Sequence, residues 1–199
     1  MEADAPVVLI GPMAVGKSAV GRTLAHRRGA RFIDTDRLIV ERHGSIPGIF
    51  AQHGEDGFRR IEAEVVLEAL SPGAVVSLGG GAVLHPRTQV LLADAVVIFL
   101  DTDLATVLPR ISADAGRPLL AGRPAERWQE LYDARRPVYE ELASEVVDTR
   151  GLTVRGTVDA VLRILPGGSA APRDPQATHL NDTLHPDLNH EIGTHTHGD

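Results

Sequence analysis

Apolar positions in this chain follow two alternating patterns. Short, nearly unbroken apolar runs at Val7–Ile10, Ala74–Leu78 and Ala95–Leu100 have the length and content of strands buried on both faces. Arg31-Phe32-Ile33 and Glu145–Asp148 are weaker strand signals. Between them, apolar residues recur at helical spacing. Val20, Leu24 and Ala25 mark a helix ending near Arg28, and Phe58, Ile61, Val65 and Leu70 share one side of a helix over Glu55–Leu70. Helical stretches punctuated by Gly44 and Pro47 precede that helix. Further helices are predicted over Pro86–Ala93, Asp103–Ile111, Glu126–Ala143 and Thr157–Leu165, with a loop over Ala113–Arg123. Pro109 should bend or end its helix and Pro137 should interrupt its own, because proline lacks the N–H the helix needs. Strand–helix alternation with apolar strands predicts an α/β fold of three layers, α/β/α, around a central parallel sheet of about five strands. In such sheets ligands bind beyond the carboxyl ends of the strands, which places the loops after Ile10, Ile33 and Leu78 around one cleft.

The first of these loops carries the clearest chemistry. Gly11-Pro12-Met13-Ala14-Val15-Gly16-Lys17-Ser18 fits the P-loop pattern G-x-x-x-x-G-K-[ST] between a predicted strand and a predicted helix. Gly11 and Gly16 permit a tight turn and close backbone approach to a phosphate. The N–H groups then form an anion nest at a helix N-terminus. Lys17 offers a compact charge for the outer phosphates, and the Ser18 hydroxyl is suited to Mg²⁺.

Four more segments bear on that cleft. Asp34 and Asp36 are two apart where a strand ends, so an extended backbone turns both carboxylates to one side. One could hold a metal and the other orient an accepting hydroxyl, although Asp36 could equally cap the following helix. Arg59 and Glu62 are helix neighbours three apart, and on residue types alone they read as an exposed ion pair, with Arg60 facing solvent. Gly79-Gly80-Gly81 suits a place where something approaches the backbone, or else a turn at positive φ. Arg117, on a loop flanked by Gly116 and Gly122, could close over phosphates; Arg135 and Arg136 could bind an anion or merely be solvated.

Composition narrows the field. The 199 residues predict a single folded unit over 1–165, and 43% hydrophobic with 24% charged residues is ordinary globular content. A net charge of −7 offers no field for nucleic acid, and the absence of cysteine gives no disulfide or thiolate site. The acidic first residues are unlike a signal peptide, and no apolar run approaches the ~20 residues that span a bilayer, so a cytoplasmic location is expected. Residues 166–199 turn to Pro, Gly, Ser, Asn, Asp and Thr, with five of the nine histidines. They read as a disordered tail, for which weak metal binding is the alternative.

Taken together, G-P-M-A-V-G-K-S, D-T-D, F-R-R-I-E, S-L-G-G-G-A-V, R-P-L-L and R-R-P-V-Y resemble the shikimate kinases, a P-loop family of the nucleoside monophosphate kinase-like group, in order and spacing from Pro6 to Leu165. The resemblance implies a mobile lid, a substrate-binding helical region, and ATP- and Mg²⁺-dependent phosphorylation of the 3-hydroxyl of shikimate in aromatic amino-acid biosynthesis, by a monomer. It also implies roles. Gly11, Met13, Ala14, Val15, Gly16, Lys17, Ser18 and Ala19 would cradle the nucleotide. Ser18 would ligate Mg²⁺, Asp34 would hold it through water, and Asp36 would act as base. Arg59, supported by Glu62, and Arg135 would clamp the shikimate carboxylate against Gly79, Gly80 and Gly81. Arg110 would stack on adenine and Arg117 would be the lid arginine. Three positions depart from the family pattern. Ala14 stands for the usual glycine and requires negative φ to avoid strain, Ala19 replaces a threonine, and Pro109 sits in the helix presenting Arg110. The competing readings are a gluconate-type or other small-molecule kinase on the same fold and a nucleotide-binding module without turnover.

Overall fold

In a computed structural model of the chain, residues 4–112 and 122–165 are described. The strands are β1 (Val7–Ile10), β2 (Phe32–Asp34), β3 (Val75–Ser77), β4 (Val96–Asp101) and β5 (Glu145–Asp148), all parallel, in the order β2-β3-β1-β4-β5. The helices are α1 (Lys17–Arg28), α2 (Thr35–His43), α3 (Ile46–Ala69), α4 (Pro86–Leu91), α5 (Leu104–Ser112), α6 (Pro124–Leu142) and α7 (Val154–Ile164). The predicted three-layer α/β architecture is therefore the one observed.

The two-residue period of the strands sorts the core into two layers. Val8, Ile10, Val97 and Phe99 pack on one face with Val107 of α5 and Trp128, Tyr132 and Tyr139 of α6. Val7, Leu9, Ile98 and Leu100 pack on the other with Val20 and Leu24 of α1 and Val158 and Val161 of α7. All six residues of β4 are buried. At ~1.5–3 kcal/mol per large apolar side chain, that strand is a major source of stability. β1 runs beside β3 from Val7 opposite Val75 and beside β4 from Val7 opposite Val96. This register brings the ends of β1, β2, β3 and β4 to one rim.

Two local expectations need correction. Helix α5 runs through Pro109 to Ser112, and α6 runs through Pro137 to Leu142. In both cases buried side chains past the proline, Ile111 and Tyr139, keep the helix packed against the sheet. Helical structure also runs from Ile46, in keeping with the helical stretches expected before Glu55, and Gly54 breaks it with φ 67° and ψ −175°, so the helix predicted from Glu55 begins just after that break. The expected loop at Ala113–Arg123 falls mostly, and the expected tail at 166–199 entirely, outside the described residues. No helix among the described residues is long and apolar enough to cross a membrane.

Candidate active site

A cleft of about 870 Å³ opens along the carboxyl ends of the strands. Its floor is the P-loop, Met13 to Ala19, with Gly79, Gly80 and Gly81 on one side and Arg110 above. One end is closed by Val40, Ile46, Phe50 and Phe58; at the other lie Thr149, Leu152, Val154 and Thr157.

The P-loop adopts its shape for the reasons its glycines imply. Gly11 has φ 135° and Gly16 φ 108°. A Cβ on Gly11 would also lie 2.5 Å from the Leu100 carbonyl oxygen, so the loop can leave β1 beside β4 only as glycine. Helix α1 begins at Lys17 with no side-chain cap, leaving its first N–H groups to face the cleft. The Lys17 ammonium is buried and donates, among its contacts, to the carbonyl oxygens of Gly11 (2.8 Å) and Pro12 (2.9 Å). Ser18 and Ala19 are exposed at the cleft. Ala14 departs from expectation. Its φ is 66°, in the left-handed region, so this alanine carries backbone strain that glycine would not.

The D-T-D segment folds differently from a continued strand. β2 stops at Asp34, which is itself the cap of α2, its Oδ1 accepting from the Arg37 N–H at 3.3 Å. The capping residue is thus Asp34, where Asp36 had been the candidate. Asp36 lies in the first helical turn and faces the cleft, whereas Asp34 is not among its lining residues. The helix turn, not the strand period, aims Asp36. Desolvation of its carboxylate within the cleft is the main cause of an Asp36 pKa raised above 3.8; Lys17 and Arg59 oppose the rise, while Asp34 adds to it. Between the two acids, Thr35 is fully buried; its hydroxyl donates to the Ser77 carbonyl (3.2 Å) and accepts from the Gly79 N–H (3.2 Å). That bridge holds Asp36 against the glycine segment.

The Arg59–Glu62 pair, expected at the surface, is buried, with Glu62 only 1% exposed. Arg59 donates to Glu62 at 2.6 Å and to Glu55 at 3.3 Å. The turn made by Gly54 lets the helical segment after it lie under the cleft and carry the pair inward. Burial lifts the Glu62 pKa to about 7 against the pull of Arg59. Arg60 is exposed, as expected.

None of Gly79, Gly80 and Gly81 has positive φ, so turn geometry does not explain them. Space does. A Cβ on Gly79 would lie 2.5 Å from Asp36 Oδ1 and 2.7 Å from Glu62 Oε1, and one on Gly81 would overlap the Arg59 guanidinium. One on Gly80 would lie 3.7 Å from Arg135 Nη1. Both buried arginines thus meet the same three-residue backbone segment from two different helices. Arg136 points away, donating to Glu140 at 2.9 Å, so Arg135 is the member of Arg-Arg-Pro-Val-Tyr that enters the cleft.

Arg110 lines the cleft and its Nη1 donates to the carbonyl oxygens of Ala14 (2.9 Å) and Val15 (3.3 Å). Arg117 lies outside the described residues. Sequence reasoning overlooked Thr35, Glu55, the stacked Phe50–Phe58 pair (4.6 Å) and two α6 side chains. Those two are Trp128, whose indole N–H donates to the Met13 carbonyl, and Tyr139, whose hydroxyl donates to the Gly80 carbonyl. The threonine of D-T-D and the tyrosine of R-R-P-V-Y were visible inside motifs but had no assigned work; Trp128 had no local signal at all.

Known proteins resemble this chain over most of its length. The family model described as shikimate kinase matches residues 13–166. A shikimate kinase from Streptomyces coelicolor is 45% identical over 158 residues, covering 78% of this chain and 92% of that protein. One from Thermobifida fusca is 42% identical, covering 80% and 94%. Among solved structures, shikimate kinase from Acinetobacter baumannii in complex with shikimate superposes with a TM-score of 0.77 at 34% identity, covering 80% of this chain and 92% of that one. A gluconokinase from Sinorhizobium meliloti, 20% identical with a TM-score of 0.56, shares the fold. By family model and by relatives over most of its length, the chain belongs to the shikimate kinase family.

Proposed function

We propose that this chain transfers the γ-phosphoryl group of ATP to the 3-hydroxyl of shikimate, giving shikimate 3-phosphate and ADP. The observation that supports it best is the convergence of Arg59 and Arg135, both buried, on Gly79–Gly81 beside Asp36. Two guanidiniums against a side-chain-free wall make a clamp for one carboxylate, with room for a polyhydroxylated ring next to it.

The division of work follows from position. The P-loop N–H groups and Lys17 hold the nucleotide phosphates, and Arg110 and the Thr149–Thr157 end border the rest of the nucleotide. Ser18, exposed at the cleft, would offer its hydroxyl to Mg²⁺, and Asp34, whose cap bond uses Oδ1, would support the ion through water from behind the lining residues. When bound, Mg²⁺ neutralises charge on the β- and γ-phosphates. Asp36 accepts the proton of the attacking hydroxyl as the oxygen–phosphorus bond forms and ADP leaves. Its raised pKa makes it a stronger base than an ordinary aspartate. Arg117, between Gly116 and Gly122 in the sequence and outside the described residues, is the candidate for stabilising the transferred phosphoryl group. The enzyme works as a cytoplasmic monomer.

The test is ADP release with ATP and Mg²⁺ in the presence of shikimate, of gluconate, or of neither. Turnover requiring shikimate, with a product heavier by one phosphate in mass spectrometry, is expected. Turnover with gluconate and none with shikimate would overturn the reading.

A further inference from the structure

Trp128 is the only tryptophan of the chain. It is 1% exposed and does not line the cleft, yet its indole Nε1–H donates to the Met13 carbonyl oxygen at 3.0 Å. The peptide linking Met13 to Ala14 is planar and trans, so its C=O and N–H point in opposite directions. A donor that holds the Met13 oxygen on the α6 side therefore turns the Ala14 N–H the other way, and Ala14 lines the cleft. This is the same peptide that leads into the strained Ala14, with φ 66°. An alanine in that conformation persists only where its surroundings over-determine it.

The surroundings here come from two helices. On the far side of Ala14, Arg110 of α5 holds the next two carbonyls, those of Ala14 and Val15. On the near side Trp128 is itself fixed. Its ring stacks on Tyr132 at 5.0 Å and 16°, and the Tyr132 hydroxyl donates to the Asp101 carboxylate at the end of β4. Among the described residues, a cavity of about 10 Å³ lies between Pro12, Met13 and α6, the room of a single water at most. The P-loop is thus held at three consecutive carbonyls, two by Arg110 from the cleft side and that of Met13 by Trp128 of α6 from behind.

We propose that Trp128 is a positioning residue for the nucleotide, aiming the Ala14 N–H at the phosphates by holding the Met13 carbonyl from outside the site. The inference deepens the reading of the P-loop as the nucleotide site and rests on it. The ring itself does two separable jobs, filling the core and donating one hydrogen bond. Only the second bears on nucleotide affinity.

The experiment is calorimetric titration of Mg·ADP into the full chain and into Trp128→Phe and Trp128→His, with a melting curve for each. Phenylalanine keeps an aromatic ring and removes the donor. Histidine fills less space but keeps a ring N–H at the equivalent position. Trp128→Phe is expected to bind ADP roughly five- to tenfold more weakly, the loss of one hydrogen bond. Trp128→His should recover most of that affinity in spite of a lower melting temperature. Shikimate, titrated separately, should bind all three proteins within twofold. A folded Trp128→Phe with ADP affinity within twofold of the parent would overturn the proposal, leaving Trp128 as core filling. If Trp128→Phe does not fold, Trp128→His decides alone: parental affinity supports the proposal, and a tenfold loss in a folded protein overturns it. A parent protein that binds ADP in this tryptophan-dependent way but ignores shikimate would refute the substrate reading and leave this inference standing.

Discussion

Replacing Gly79 by alanine would add one methyl group at the point where the two site carboxylates meet. Its Cβ would stand 2.5 Å from Asp36 Oδ1 and 2.7 Å from Glu62 Oε1, where ordinary contact begins at 3.4 Å. Asp36 must then retreat by about 0.9 Å, a displacement of the size that costs on the order of 10²-fold when it affects a reacting group. Glu62 must retreat as well, which loosens its hold on Arg59. The backbone accepts the change, because Gly79 does not have positive φ. Alanine also restricts the unfolded chain, offsetting part of the strain by ~0.4–1 kcal/mol. Gly79→Ala is therefore expected to melt within a few degrees of the parent and to bind ADP normally, while kcat/KM for shikimate falls on the order of 10²-fold. A coupled ADP-release assay with shikimate varied at saturating ATP reads the effect. Gly156→Ala, in the first turn of α7, is the control; its nearest contact would be an ordinary 3.5 Å, to Oγ1 of the N-cap Thr153, so activity should be unchanged. A folded Gly79→Ala with kcat/KM within twofold of the parent would show that Asp36 does not have to stand where it does.

Three shorter predictions address other parts of the site. Ala14→Gly should raise the melting temperature by ~1–4 °C, since it relieves a left-handed alanine worth ~1–2 kcal/mol and gives back ~0.4–1 kcal/mol in unfolded-chain entropy; a lowered melting temperature would contradict the strain. Arg135→Lys should raise KM for shikimate roughly ten- to a hundredfold with KM for ATP nearly constant, because lysine cannot form the paired hydrogen bonds of a guanidinium, whereas Arg136→Lys should be mild. Steady-state kinetics of the two variants check this, and the reverse ranking would remove Arg135 from the carboxylate clamp. Glu62, whose pKa is raised from 4.5 to about 7, holds its proton more tightly folded than unfolded, so its contribution to stability is complete below pH 4.5 and is lost as pH rises towards about 7. Denaturant titrations should show a flatter stability profile across that window in Glu62→Gln; an identical slope would mean the carboxyl is not desolvated.

Much of this protein was determined by local sequence. Apolar runs this short and alternating with helical patterns have the length and content of strands covered on both faces, so β1, β3 and β4 and the parallel sheet followed directly. The P-loop was equally legible, since Gly11 and Gly16 occupy backbone states that other residues avoid. Motif order was enough to suggest the family, because spacing along the chain is preserved whatever the packing. Tertiary structure decided what depends on neighbours distant in sequence. Prolines 109 and 137 did not end their helices, because buried side chains beyond them held α5 and α6 to the sheet. Arg59 and Glu62 look like any surface pair until the turn at Gly54 sets the rest of the helix under the cleft. Gly79 and Gly81 are glycine because Asp36, Glu62 and Arg59 occupy the space a side chain would need, and those come from other elements. Trp128 reaches a P-loop carbonyl 115 residues away. Propensity and period act over a turn or two of chain, whereas excluded volume and a partner for a buried polar atom are properties of whatever the fold brings alongside.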